Sequence, residues 1–224
     1  MKSELNKRII TSLFLFTLSI LMLFYTYILI ISLIIITTIS WIEFFGLITK
    51  IFNKNNFKTY LLKTAFKALS LIYLIFFSVL IFDLVAQTET QSVLKIVYIF
   101  SICIASDVGG LIFGKTFKGK KLTKISPNKT IAGSIGSFIL SLIITPFFYY
   151  IGGYFGHILD FLILSIILSF ACQSGDLFIS YLKRKAKVKN TGDLLPGHGG
   201  ILDRIDGILI AVPIGIYLSK FLGL

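Results

Sequence analysis

Asp176, Ser180 and Lys183 stand four and three residues apart, which on a helix puts a carboxylate, a hydroxyl and an ammonium on one face. Asp176 lies several residues inside the end of an apolar segment. An ionisable side chain at that depth is costly and is a functional candidate by default. A helix-end aspartate paired with a nearby lysine is the plainer reading, and these three residues alone do not choose between the two. Further on, Leu195-Pro196-Gly197-His198-Gly199-Gly200-Ile201-Leu202-Asp203-Arg204-Ile205-Asp206-Gly207 packs glycines, a histidine and two aspartates between apolar segments. Glycine tolerates left-handed backbone and lets the main chain approach a ligand closely. A glycine-rich turn opening a helix offers free backbone N–H groups at the positive end of the dipole, a setting suited to phosphate. Asp203 and Asp206 fall at i and i+3 in the first turn of the last helix, where the dipole favours carboxylates whatever their role. Facing a third carboxylate, Asp176, they would make an oxygen-rich site for Mg2+, a hard cation that takes a few carboxylates plus substrate phosphates.

A third stretch holds Ser106-Asp107, Gly109-Gly110, Gly114-Lys115, Lys118-Gly119-Lys120-Lys121 and Ile125-Ser126-Pro127-Asn128-Lys129-Thr130. The Gly-x-x-x-x-Gly-Lys-Ser/Thr pattern of a P-loop is absent. These Lys, Ser and Thr groups could hold polyphosphate, but alone they read more simply as a solvated basic loop. Carboxylates, glycines and cations on three elements are the equipment of phosphoryl or nucleotidyl transfer, in which positioning and charge neutralisation do most of the work. A Ser/His/Asp hydrolase is not suggested, since the chain has only two histidines and His157 falls on the opposite side. Cys103 and Cys172 sit in apolar segments without metal-ligand spacing and read as small buried hydrophobes.

The elements that must carry these groups are membrane helices. Hydrophobic residues make up 56% of the 224 residues and charged ones 14%, against roughly 25% charged in a soluble domain. From Ile9 to Ile48 the only charged residue is Glu43. That run exceeds the roughly 20 residues one span needs, so it reads as two spans with a tight turn near Tyr25 to Tyr27. The apolar segments predict seven spans, about 9–25, 27–48, 68–85, 94–114, 131–151, 154–180 and 201–222, with six to eight as the range. Backbone in lipid must satisfy its own hydrogen bonds, so the spans are helices. The fold class is all-α, a polytopic helical membrane protein forming one domain over 1–224. Residues 1–93 supply N-terminal spans, and 94–224 a catalytic region with loops 115–130 and 181–200.

Nineteen of the 22 basic residues lie at the N-terminus or in the connections after spans two, four and six. The connections around Thr26, Gln87 to Ser92 and Gly152 to Gly156 hold no Lys or Arg. The positive-inside rule therefore places the N-terminus and the three basic connections in the cytoplasm. Attraction to anionic headgroups also explains most of these lysines. The same pattern places the candidate site on the cytoplasmic side. Asp83 and Asp160 fall near the opposite ends of their spans, and the sparse charge elsewhere gives little support to an ion-coupled transporter.

The run Ser180-Tyr181-Leu182-Lys183-Arg184, then Lys189, Gly192 and Leu195 to Asp206, resembles the signature of phosphatidate cytidylyltransferases, the CDP-diacylglycerol synthases. The match spans 27 residues at fixed spacing. Ser106-Asp107, Phe113-Gly114-Lys115, Lys121-Leu122 and Ile125 to Thr130 resemble the same family, and the N-terminal spans look like a shortened version. Two positions depart: Asn190 and Ala132 stand where the family usually has acids. The resemblance implies transfer of CMP from CTP to phosphatidic acid, giving CDP-diacylglycerol and pyrophosphate in phospholipid biosynthesis. It implies Asp176, Ser180, Lys183, Asp203 and Asp206 as catalytic residues. Asp176, Asp203 and Asp206 would hold one or two Mg2+ ions, with a monovalent cation a further candidate. Substrate-binding roles pass to Asp107, Lys115, Ser126, Lys129, Thr130, Arg184, Lys189, Gly197, His198, Gly199, Gly200 and Arg204. The expected partners are CTP, phosphatidic acid and the bilayer of the inner membrane, with no nucleic acid and with a homodimer left open. A CTP-dependent lipid kinase and a catalytically degenerate membrane relative, which Asn190 and Ala132 would favour, are the rival readings.

Overall fold

The computed structural model describes residues 2–53, 56–87, 90–152, 157–197 and 199–224. Among them the chain forms seven helices: α1 (Lys2–Phe24), α2 (Thr26–Ile51), α3 (Phe57–Ala86), α4 (Thr90–Phe117), α5 (Ile131–Ile151), α6 (Ile158–Lys185) and α7 (Leu202–Phe221). Lys54, residues 88–89 and 153–156 of the connections without Lys or Arg, and His198 lie outside the described residues.

The long apolar run breaks where expected. Tyr25 alone leaves the helical region, at φ −125° and ψ 106°, and separates α1 from α2. The third helix starts at Phe57 rather than near residue 68. The reason is a polar cap: the Asn56 N–H donates to Thr59 Oγ1 at 3.1 Å and the Thr59 hydroxyl donates to Asn56 O at 2.7 Å. The helix therefore runs through Lys58, Lys63 and Lys67 before its apolar stretch begins. Five helices, α2 to α6, are long and apolar enough to cross a bilayer. The apolar part of α1 is Ile9–Phe24, about 24 Å of helix. In α7, Asp203, Arg204 and Asp206 crowd the first two turns.

The helices gather into two compact units. The first holds residues 1–87 with Leu182–Ile205. Within it α2 and α3 are joined by a 2.6 Å hydrogen bond between the Thr37 and Ser78 hydroxyls. They are joined again by Trp41, whose indole N–H donates to Lys67 O at 3.0 Å. The Lys67 ammonium lies over the Trp41 and Phe45 rings, 5.0 and 4.5 Å from their centroids, a contact that favours a cation beside aromatic faces.

The second unit holds residues 88–181 with Asp206–Leu224. Its helices touch through small residues. A Cβ on Gly109 would strike the Gly136 carbonyl, one on Gly136 would strike the Phe113 side chain, and one on Gly133 would lie 2.7 Å from Gly110 O. Close approach of this kind lets α4 and α5 pack where burial of apolar surface offers little drive, since lipid is as apolar as leucine. Serines supply cross-links. Ser137 donates to Ser106 O at 2.6 Å, Ser106 and Ser169 share a 3.0 Å bond, and Ser134 donates to Gln173 Oε1 at 2.6 Å. Buried Tyr98 donates its hydroxyl to Phe161 O at 3.0 Å. Both cysteines are free buried thiols, as their apolar surroundings predict. The outward positions are apolar too, with Ile34, Ile72, Ile143 and Phe170 all exposed, the surface expected of helices that face lipid.

The packing makes a direct comparison available. Gly109→Ala forces a Cβ into backbone and is expected to cost about 1–3 kcal/mol. Gly46→Ala meets nothing within 4 Å and is expected to be neutral or to stabilise by up to about 1 kcal/mol. Thermal midpoints of the two variants in one detergent should move in opposite directions or differ clearly; equal midpoints would refute the packing assignment.

Candidate active site

In the first unit the centre of the arrangement is the carboxylate of Asp203. Its Oδ1 accepts from the Lys183 ammonium at 2.6 Å, and its Oδ2 accepts the N–H of Thr191 at 2.9 Å and of Gly200 at 3.2 Å. The Asp203 side chain is 6% exposed and that of Lys183 15%. Burial of this pair is tolerated because the ammonium neutralises the carboxylate and backbone donors satisfy its second oxygen. An ionised carboxylate has about four lone-pair positions, and three are taken here.

The backbone between Lys183 and Asp203 is folded to deliver those donors. Just past the end of α6, Lys187 turns left-handed at φ 57°, with the Val188 N–H bonded to Lys183 O at 3.0 Å. Left-handed closure of this kind satisfies the last helical carbonyls. Farther on, Leu195 and Gly199 exchange two backbone bonds, 2.9 and 3.1 Å long. The turn they enclose needs Gly197 at φ 78° and Gly199 at φ 84°. A Cβ on Gly199 would also lie 2.9 Å from Asp203 Oδ2 and 3.3 Å from Asn190 Cγ, so glycine is required there by space as well as by backbone angle.

In the glycine-rich turn, where the spacing suggests donors for a phosphate, four described N–H groups are engaged within the protein. The Gly199 N–H bonds Leu195 O and the Gly200 N–H bonds Asp203. The N–H groups of Ile201 and Leu202 are taken by Glu43, at 3.0 and 2.9 Å. Glu43 is the lone carboxylate of the first two spans. It is 7% exposed, and its Oε2 also accepts from the Thr191 hydroxyl at 2.8 Å. A carboxylate at a helix N-terminus is stabilised by the dipole and by the unpaired N–H groups, and here α2 supplies it to α7. Sequence reasoning passed over this residue. Its signal was present, because an ionisable group isolated in a long apolar run must find partners.

In the second unit Asp176 forms an ion pair with Lys129, and the Ser180 hydroxyl donates to Asp176 Oδ1 at 3.3 Å. The shared helical face of Asp176 and Ser180 is therefore realised; the lysine that meets Asp176 is Lys129 rather than one near it in sequence, and Lys183 pairs with Asp203. Lys129 is delivered by a short hairpin. Lys121 and Thr130 pair, the Leu122 N–H bonds Lys129 O at 2.8 Å, and the Ile131 N–H bonds Lys120 O at 3.0 Å. Thr130 caps α5 by accepting the Gly133 N–H at 3.0 Å, and Ser126 O accepts the Lys129 N–H at 3.1 Å. A Cβ on Gly175 would strike the Asp206 carbonyl, so α6 and α7 meet at Gly175, next to Asp176. The Asp206 carboxylate accepts the Gly207 N–H at 3.0 Å.

Lys115, Arg184, Lys189, Gly197 and Arg204 are exposed, as is Asp107, whose Oδ1 lies 3.8 Å from the Cys172 thiol. Ala132 is half-buried in the first turn of α5. Among the described residues no three His, Cys, Asp or Glu gather as a metal cage.

The two ion pairs differ in exposure, 15% and 6% for Lys183 and Asp203 against 25% and 29% for Lys129 and Asp176. Removing Lys183 strands a buried carboxylate, so Lys183→Met should lower the thermal midpoint by roughly 10 °C. Lys129→Met breaks a wetter pair and should lower it by less than about 3 °C. Differential scanning of the purified variants checks the order, and an equal loss would contradict it.

The comparisons with known proteins bear on the same residues. The family model described as the cytidylyltransferase family matches residues 1–222. Similar proteins include a phosphatidate cytidylyltransferase of Rickettsia typhi, 39% identical over 143 residues that cover 61% of this chain and 63% of that protein. Another, of Staphylococcus haemolyticus, is 41% identical over 128 residues, covering 57% of this chain and 49% of the relative. A third, of Helicobacter pylori, is 40% identical over 114 residues, covering 51% and 42%. The chain thus spans less than two thirds of the length of these relatives. A match that runs from the first helix to the last joins the apolar N-terminal helices to the lysine-paired acids and the glycine loop, and on it the chain belongs to the cytidylyltransferase family.

Proposed function

We propose that the chain transfers CMP from CTP to phosphatidate, giving CDP-diacylglycerol and pyrophosphate, at the cytoplasmic face of the inner membrane. One observation carries the reading. The two acids expected to meet metal, Asp176 and Asp203, are each held by a lysine expected to meet phosphate, Lys129 and Lys183. Both reactants are anions, and a site for them needs cations that are positioned in advance.

In this reading an oxygen of the phosphatidate phosphate attacks the α-phosphorus of CTP. The bond from that phosphorus to the bridging oxygen of the β-phosphate breaks, and pyrophosphate leaves with the electron pair. The attacking oxygen is already ionised near neutral pH, so no general base is required. Lys129, Lys183, Arg184 and Lys189 neutralise the triphosphate and the lipid phosphate. Ser180 holds Asp176, and Thr191 and Gly200 hold Asp203. Asp176, Asp203 and Asp206 are the proposed ligands for Mg2+. Carboxylate oxygen is the donor type this ion prefers, and one or two carboxylates with substrate phosphates ordinarily suffice, so a cage of three protein ligands is not required. When bound, Mg2+ supplies charge neutralisation and polarises the phosphoryl oxygens. The cytoplasmic orientation is supported by the basic connections, and the cytoplasm is where CTP is found.

The test uses purified protein, phosphatidate and CTP labelled in the cytidine. Label should enter the lipid, pyrophosphate should be released, and EDTA should stop both until Mg2+ is restored. Asp203→Ala should lower the rate by about a hundredfold or more. Label left in soluble CDP would point to a lipid kinase instead. An Asp203→Ala enzyme of undiminished rate would remove the metal assignment.

A further inference from the structure

The mechanism above makes no use of α2, yet α2 holds the most heavily engaged carboxylate outside the expected site. Glu43 receives three donors from the far end of the chain, the Thr191 hydroxyl and the N–H groups of Ile201 and Leu202. Two glycines of the signature loop are shaped around it. A Cβ on Gly192 would lie 2.6 Å from Glu43 Oε1, and one on Gly200 would strike the Glu43 carboxylate and the Thr191 hydroxyl. The anion seat at the start of α7 is thus filled by a side chain of the protein's own.

Thr191 ties this contact to the candidate active site. Its hydroxyl goes to Glu43 and its N–H goes to Asp203. Gly200 does similar duty, with its N–H on Asp203 and the space beside it taken by Glu43 and the Thr191 hydroxyl. Asp203 in turn grips the Lys183 ammonium. A chain of contacts therefore runs from Glu43 through Thr191 and Gly200 to Asp203 and on to Lys183. We infer that Glu43 is a positioning residue: it fixes the 191–202 segment so that Asp203 and Lys183 hold their orientation, and through it the N-terminal helices take part in substrate binding. The catalytic consequence rests on the proposed cytidylyltransferase reading; the ordering of the segment does not.

The experiment has two readouts on the full-length protein in detergent micelles. The first is amide hydrogen exchange of peptides spanning 191–202. Glu43→Gln keeps size and polarity but turns an NH2 group toward N–H donors, and exchange in this segment should accelerate by about tenfold or more. Peptides of α4 and α5 should keep their wild-type rates. The second readout is kinetic. Because Lys183 would be misaligned, KM for CTP or for phosphatidate should rise by about tenfold. Loss of folded protein alone would lower apparent kcat and leave both KM values in place.

Thr191→Val guards against a Glu43 variant that does not fold. It removes one donor to Glu43 and keeps the N–H to Asp203, so it should show the same local exchange and the same direction in KM. Thr191→Ser restores the hydroxyl and should restore both. Unchanged exchange at 191–202 in Glu43→Gln and Thr191→Val would overturn the inference. Acceleration spread over the whole chain with KM unaltered would also overturn it. If the wild-type protein forms no liponucleotide, the functional reading fails, and the exchange data still decide whether Glu43 orders the segment.

Discussion

A carboxylate removed from water must be neutralised or hydrogen-bonded on every face, and in this chain two such groups, Asp203 and Glu43, organise the segment that carries the family signature. Neither could be buried alone, because an ion without partners costs several kcal/mol in an apolar setting. Asp203 takes an ammonium and two backbone N–H groups; Glu43 takes two N–H groups and a hydroxyl. Together they consume the donors that the turn into α7 would otherwise leave unpaired. The irregular backbone between α6 and α7 is stable for that reason, and its glycines read as clearance for carboxylates as much as for ligand.

The second unit meets the same requirement by other means. Its helices approach through glycines and exchange bonds through serines, and its half-buried acid, Asp176, is met by a lysine from a hairpin. The hairpin owes its shape to ordinary backbone pairing and to the threonine cap on α5. Lysine rather than arginine in both ion pairs gives a compact charge on a long flexible stem, which can leave one anion for another. Such a pair would suit the proposed site, where an internal partner is exchanged for a phosphate.

Much of this was legible in the residues. Apolar runs located the helices because the bilayer enforces their length, and Tyr25 marked the first break because nothing else could divide so long a run. The third helix began earlier than its hydropathy suggests, since lysines conceal a helix from hydropathy and only the Asn56–Thr59 cap reveals it. Spacing placed Asp176 and Ser180 on one face correctly. Spacing could not tell which N–H groups of the glycine turn are engaged, because that depends on a partner far away in sequence. Glu43 stood out as an isolated charge, but one chain carries no mark of which distant helix start it serves.

The Glu43 contacts to Ile201 and Leu202 join residues 158 and 159 positions apart. Long-range closures of this kind are the slow ones. Glu43 is synthesised well before its partners and must wait, a lone charge in an apolar helix, until residues 191–202 have been made. The 191–202 segment therefore gains its order only after α2 has been waiting for it. A form of the chain without residues 191–202 would carry Lys183 and Asp176 but none of the donors that Glu43 and Asp203 share.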